Sequence, residues 1–142
     1  MKRVVAQGTF DLLHPGHLQY LSEAKAMGNR LFVIVARSEN VTHKSDPVVP
    51  DRQRMEMVGA LDPVDEALLG DTEDFFVPIR EIDPDVIVLG HDQHHDENRL
   101  AERLREEGID CAVARAGARE PTDDGEILST GRIIDRICDR RC

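Results

Sequence analysis

Hydrophobic positions along the chain alternate between a spacing typical of buried strands and one typical of amphipathic helices. Short apolar runs predict strands at Lys2–Gln7, Leu31–Ala36, Val64–Leu69, Asp85–Leu89 and Ile109–Ala114. Helical spacing predicts helices over Pro15–Met27, Pro50–Leu61, Asp74–Ile82, Glu97–Glu107 and from near Ser129. Because strand and helix alternate along the whole length, the pattern predicts an α/β fold, with a parallel five-stranded sheet and helices on both faces.

One of these helices carries two of the five aromatic residues. Over Asp74–Ile82 the spacing puts Phe75, Ile79 and Ile82 on one face. Phe75 and the adjacent Phe76 are therefore both expected to pack in the core or in an interface.

Parallel sheets of this kind bind ligands at the carboxyl ends of their strands, where the strand order reverses. The most informative segment, Gln7–His17, joins the first strand to the first helix. His14 and His17 are three apart and point to one side at a helix start. Pro15 suits the first helical position, and Gly16 leaves room for an anion to approach the amides. Two imidazole donors beside free helix amides predict a preorganised anion site.

The composition narrows the class of protein. The chain has 142 residues, 40% of them hydrophobic, which excludes intrinsic disorder. Its 28 acidic residues outweigh 18 basic ones, and the net charge of −10 argues against a nucleic-acid partner, because duplex binding needs Lys and Arg. No apolar run approaches the ~20 residues of a membrane span, and no signal-peptide pattern precedes the first strand. We expect one cytoplasmic domain over residues 1–142 with no membrane partner.

Arginine dominates the basic residues, since the only lysines are Lys2, Lys25 and Lys44. An acidic, lysine-poor surface suits a cytosol of high salt, where screening removes most of the self-repulsion. An arginine-biased coding sequence explains the same composition, and the sequence leaves both explanations open.

Four motifs in order carry a resemblance that covers nearly the full length. Gly8–His17 resembles the signature of the nucleotidyltransferase superfamily with the His-x-Gly-His motif, and within it the cytidylyltransferase-like group. Pro50–Val58 resembles the family helix whose arginine, here Arg54, anchors the phosphates or braces the site. Val88–Gln93 resembles the loop that holds the base, and Ile127–Ile133 resembles the motif whose helix start holds the outer phosphates.

Within that group the chain most resembles the archaeal FAD synthases. The resemblance lies in Gly90–Gln93, in Met1–Gly8 at the first strand and in Val58–Leu61 at the second helix. Cytidylyltransferases carry an aromatic residue where Gln93 stands. The last motif departs from the commoner Ser-Thr-Thr, because Gly131 replaces the second threonine and removes one hydroxyl. Ser129 and Thr130 remain to bind phosphate.

The resemblance implies a Rossmann-like fold and adenylyl transfer, in which ATP and FMN give FAD and pyrophosphate. His14 and His17 would donate to the α- and β-phosphate oxygens. Lys44 would clamp the α-phosphate, and Arg132 would help to hold the β- and γ-phosphates. The implied nucleotide-binding residues are Gly8, Thr9, Phe10, Asp11, Gly16, Arg54, Gly90, Asp92, Gln93, Ser129 and Thr130.

The resemblance also implies Mg²⁺ bridging the phosphate oxygens, with Asp11 the nearest candidate to orient it directly or through water. A homodimer is expected, as is common among small family members. Two other functions remain open: a glycerol-3-phosphate cytidylyltransferase, which would convert CTP and glycerol 3-phosphate to CDP-glycerol, and a nucleotide-binding module without turnover. A transition-metal site in the tract His91–Asp96 is the less favoured interpretation of its histidines.

Overall fold

A computed structural model describes residues 1–42, 45–93, 95–122 and 125–142. Its strands β1 to β5 are Arg3–Gly8, Arg30–Val35, Glu66–Leu69, Val86–Leu89 and Ala112–Arg115. Its helices α1 to α5 are Pro15–Ala26, Asp51–Gly59, Val77–Ile82, Glu97–Glu106 and Thr130–Arg141, with a short 3-10 turn at Ser38–Asn40. The strands form one five-stranded sheet of order β3-β2-β1-β4-β5, parallel throughout, so the predicted Rossmann-like α/β fold is confirmed.

The central strand β1 is buried on both faces because helices cover both sides of the sheet. Val4 and Ala6 point toward α1 and α2, where they pack in a cluster with Leu21 and Val58. Val5 points the opposite way, toward the aliphatic side chains of α3 and α4. A strand covered on both faces has to be apolar at successive positions, which is the pattern that predicted it. Within the described ranges, no helix combines the length and apolar character that crossing a membrane requires.

The sheet divides beside β1, where the strand order reverses. β1 pairs with β2 along its whole length but with β4 only as far as Ala6, which lies opposite Val88. The buried Tyr20 hydroxyl of α1 spans the gap beyond: it accepts from the Gln7 N–H at 3.0 Å and lies 2.5 Å from the Val88 carbonyl oxygen. Burial raises the pKa of Tyr20 well above its ordinary value, so the hydroxyl stays a donor. The backbone groups of Gln7 and Val88 at the base of the crevice are therefore paired by this hydroxyl.

The fifth strand begins three residues later than predicted, at Ala112 instead of Ile109. The prediction was wrong because Ile109 belongs to the end of α4. Its N–H donates to the Leu104 carbonyl at 2.9 Å, after Gly108, whose φ is 74°. This is a Schellman cap, which places an apolar residue against the last helical turn. Ile109 is apolar because it packs there.

Helix α3 begins at Val77, not at Asp74, and this changes which phenylalanine is buried. The Asp74 carboxylate accepts from the Phe76 N–H at 2.9 Å, a local turn that competes with a helical start. Phe76 is 4% exposed and packs in the core, whereas Phe75 is 37% exposed. Core packing of Phe75 was therefore a wrong prediction, and its packing in an interface stays a prediction.

Candidate active site

A cavity of about 780 Å³ lies over the carboxyl ends of β1 and β4, between the first turns of α1 and α5. It occupies the position where the strand order reverses, as the sequence predicted. The predicted site residues that line it are Gly8, Thr9, Phe10, Asp11, His14, Gly16, His17, Gly90, Asp92, Gln93, Ser129 and Thr130. Arg54 and Arg132 do not line it, and Lys44 is outside the described residues.

His14 and His17 cap the first turn of α1 reciprocally. His14 is the N-cap, and its Nδ1 accepts from the Gly16 N–H at 3.0 Å. His17 Nδ1 accepts from the His14 N–H at 3.2 Å, and the two ring centroids are 3.9 Å apart. A neutral imidazole that accepts through Nδ1 carries its proton on Nε2. Capping therefore fixes both tautomers as Nε2–H donors in the wall of the cavity.

Burial keeps His14 neutral. It lowers the pKa of His14 below the ordinary value of 6.5, and the negative charge of Asp92 offsets only part of this effect. Gly16 gives the ring its space, since a Cβ there would lie 2.8 Å from Cε1 of His14. The glycine thus accommodates a histidine ring as well as any anion that enters.

Phe10 forms part of the cavity floor in a strained conformation. Its φ is 52°, in the left-handed region that bulky residues rarely adopt outside functional sites. The ring is buried, stacks on Tyr20 at 6.3 Å and lies 5.4 Å from the His17 ring. A Cβ at Gly8 would lie 2.9 Å from this ring, so Gly8 is required by Phe10. Phe10 acts both as a core residue and as the support of His17.

The Asp11 carboxylate holds the loop that leads to α2. Its two oxygens accept from the Val48 and Val49 N–H groups, each at 2.9 Å. Each carboxylate oxygen retains one further lone pair, so Asp11 can still receive a cation or its water. Among the described residues no group of three metal-ligating side chains occurs. One carboxylate with free lone pairs fits Mg²⁺, which usually takes few protein ligands and keeps several waters.

Arg54 is buried beneath the loops that border the cavity. Its side chain is 1% exposed and donates to the carbonyls of Thr9 at 2.6 Å, Ala36 at 2.8 Å and Val49 at 2.8 Å. It also donates to Ser38 Oγ at 3.0 Å. Of the two roles that the family motif allowed, this geometry favours bracing the site.

Arg115, which the sequence did not single out, fixes the loop after β4 in the same way. Its guanidinium donates to the carbonyls of Gly90 at 2.7 Å, Gln93 at 3.1 Å and His95 at 2.6 Å, and it pairs with Glu97. The Gln93 amide donates to the Gln7 carbonyl at 2.6 Å. Its Oε1 is buried, and the Gln93 side chain also interacts with the Tyr20 hydroxyl.

The first turn of α5 faces α1 across the cavity. Ser129 is the N-cap, and its Oγ accepts from the Arg132 N–H at 3.4 Å. Thr130 Oγ1 donates to the Leu12 carbonyl at 3.0 Å, which ties this helix to the histidine loop. The amides of the first turn therefore add positive potential to the cavity.

Among the described residues, the arginine that lines the cavity is not a predicted one. Arg132 is exposed and lines a separate depression with Asp135 and Arg136, so its role stays a prediction. Arg119 lines the cavity itself and pairs with Glu126, and this contact lowers the pKa of Glu126 to about 2. Sequence analysis missed Arg119 because it lies in an irregular loop outside every motif. Its basic charge, ten residues before Ser129, was the only signal.

Comparisons with known proteins agree on one family. The model of the cytidylyltransferase-like family matches residues 5–136. A protein of Natronomonas pharaonis named FAD synthase is 75% identical over 142 residues, which is 100% of both chains. A protein of Halalkalicoccus jeotgali with the same name is 67% identical, again over 100% of both chains.

A solved structure shares the fold over most of its length. The lipopolysaccharide core biosynthesis protein from Thermoplasma volcanium matches with a TM-score of 0.82 and 36% identity. The match covers 84% of this chain and 99% of that one.

Proposed function

This chain belongs to the cytidylyltransferase-like family, and we propose that it is an FAD synthase, a nucleotidyltransferase that transfers AMP from ATP to FMN. One observation carries the chemistry: two Nε2–H donors and the N-terminus of α5 line a single cavity. The acceptor is inferred from relatives at 60–75% identity, all named FAD synthase.

The reaction needs no nucleophile from the protein. A phosphate oxygen of FMN attacks the α-phosphorus of ATP, the new P–O–P bond forms, and the bond to the β-phosphate breaks to release pyrophosphate. Because the second pKa of a phosphate monoester is about 6, the attacking group is already mostly anionic at neutral pH. Catalysis therefore depends on alignment and on neutralising charge in the transition state.

Residues on different walls of the cavity would bind different phosphates of ATP. His14 and His17 would donate from one wall to the α- and β-phosphates. Ser129, Thr130 and the α5 amides would hold the leaving pyrophosphate, with Arg119 as a neighbouring cation. Lys44 and Arg132 remain proposed phosphate ligands.

We further propose that Mg²⁺ enters with ATP. Asp11 would hold the ion directly or through water, and the ion would offset negative charge on the phosphates, while the protein residues supply the hydrogen bonds. A cytoplasmic location and a homodimer belong to the same proposal. Ile137 on α5 is 47% exposed, which leaves an apolar surface that a second copy would cover. Sedimentation equilibrium measures the assembly state.

The proposal predicts pyrophosphate release and FAD formation when the chain is given ATP, FMN and Mg²⁺. Chromatography of the flavins and a coupled pyrophosphate assay measure both products. Riboflavin is the matched control, because it carries the same ring without the phosphate nucleophile and should release nothing.

Two results would contradict the proposal. Turnover of CTP with glycerol 3-phosphate, but not of ATP with FMN, would make the chain a cytidylyltransferase. Nucleotide binding without pyrophosphate release from either pair would make it a binding module.

A further inference from the structure

A second cavity of about 660 Å³ adjoins the first at the carboxyl ends of β1, β2 and β3. The two cavities share Gly8, Asp92 and Gln93, so they adjoin along a common border. Aliphatic side chains of Ile34 and Val41 line it, and its volume lies within the range of about 300–1,000 Å³ that is usual for organic ligands.

Phe75 presents an aromatic surface to this second cavity. Its side chain is 37% exposed, although Phe76 beside it is buried in the core. The Phe76 ring meets Phe75 edge-on at 5.1 Å, and the His95 ring lies 5.8 Å away at an angle of 40°. His95 also lines the cavity, so two aromatic rings border the same space.

The segment that carries Phe75 is held in place by side-chain hydrogen bonds to its backbone. Asp71 accepts from the Glu73 and Asp74 N–H groups, each at 2.9 Å. Across the cavity, Asn40 Nδ2 donates to the Thr72 carbonyl at 3.0 Å. The exposed ring is thus preorganised, which reduces the entropy lost when a ligand stacks on it.

We propose that Phe75, with His95 beside it, is the stacking surface for the isoalloxazine ring of FMN and selects a flavin over an aliphatic phosphate. This inference rests on the proposed function. The ring would occupy the second cavity, while the phosphate would reach the reacting phosphorus past the shared wall of Gly8, Asp92 and Gln93. A planar ring gains stacking on Phe75, whereas glycerol 3-phosphate has no group that could use it.

Substitution of Phe75 tests the inference. Phe75→Ala should raise the Kd for FMN about tenfold, the scale of a lost aromatic stacking contact, with the KM for ATP unchanged. Phe75→Tyr should restore FMN binding. Quenching of flavin fluorescence measures binding without turnover, and steady-state assays separate the two KM values.

Met57→Ala is the matched control, since Met57 is 54% exposed on α2 and lines neither cavity. If Phe75→Ala binds FMN as the wild type does, while the wild type makes FAD, the inference is wrong and the function stands. If the wild type makes no FAD, the proposed function itself fails. Equal losses of FMN and ATP binding in Phe75→Ala would indicate a structural role and would also overturn the inference.

Discussion

A neutral histidine that accepts a hydrogen bond through Nδ1 can donate only through Nε2. In this site both histidines accept backbone N–H groups of the same helical turn, at 3.0 and 3.2 Å. The hydrogen bond that caps the helix therefore also selects the tautomer of each histidine. Partial burial lowers the pKa of His14 below its ordinary value, which favours the neutral form that this cap requires.

Because His17 caps α1 and would also donate to the phosphates, its substitution should have two effects that can be measured separately. His17→Ala should lower kcat about 10²-fold, because one transition-state donor is lost, with a much smaller change in ground-state ATP binding. The same change removes a cap acceptor and should cost about 1 kcal/mol of folding free energy. Pre-steady-state kinetics and urea denaturation measure the two effects independently.

His17→Glu provides the matched comparison, because glutamate at the third helical position restores the reciprocal cap. Its stability should return toward that of the wild type while kcat stays low. A glutamate variant with wild-type kcat, or an alanine variant with an unchanged rate, would show that His17 does not contact the reacting phosphates.

At the level of elements, two arginines hold the loops around the cavity by binding backbone carbonyls. Arg54 joins the loops after β1 and β2 to the start of α2, and Arg115 shapes the loop after β4. A guanidinium can do this because it presents five N–H donors in one rigid plane. The site's irregular segments are therefore fixed by side chains from regular elements.

Arg54→Lys should lower the free energy of unfolding by about 2–4 kcal/mol, since an ammonium cannot reach the same carbonyls and leaves some of them buried and unpaired. Urea denaturation measures the loss. Arg52→Lys, an exposed change on the same helix, should alter stability by less than about 0.5 kcal/mol. Equal effects of the two changes would mean that the carbonyl contacts contribute little.

The alternation of elements and the histidine segment could be predicted because each depends on nearby residues. The start of β5 and the exposure of Phe75 could not, because Ile109 serves a helix cap and Phe75 precedes its helix. Arg115 contacts the loop after β4, whose residues are distant from it in sequence. Arg119 contacts Glu126 within an irregular loop. No local pattern distinguishes such arginines from surface charge.

For the whole molecule, carboxylates are spread over the outer surface and also line the cavity. The net charge is −10, and exposed carboxylates such as Glu56, Glu81 and Glu102 lie on helix surfaces away from the cavity. At the cavity, N–H donors and a helix terminus provide positive potential without many basic residues. Because four aspartates line the cavity as well, these donors offset carboxylates at the site itself.

If that surface suits high salt, raising KCl from 10 mM to 1 M should raise the melting temperature, because the Debye length falls to about 3 Å at 1 M. Thermal unfolding followed by circular dichroism measures the change. A variant with Glu56→Gln, Glu81→Gln and Glu102→Gln should gain less from salt than the wild type. A melting temperature independent of KCl would favour the alternative, an arginine-biased coding sequence.

The Tyr20 hydroxyl, which satisfies the backbone where β1 and β4 part, sets how deep the crevice reaches into the sheet. That depth does not depend on the loops above it. The segment after β3 can therefore change chemistry while the base of the crevice stays in place. One phenol thus keeps the depth of the site constant whatever the residues at its rim.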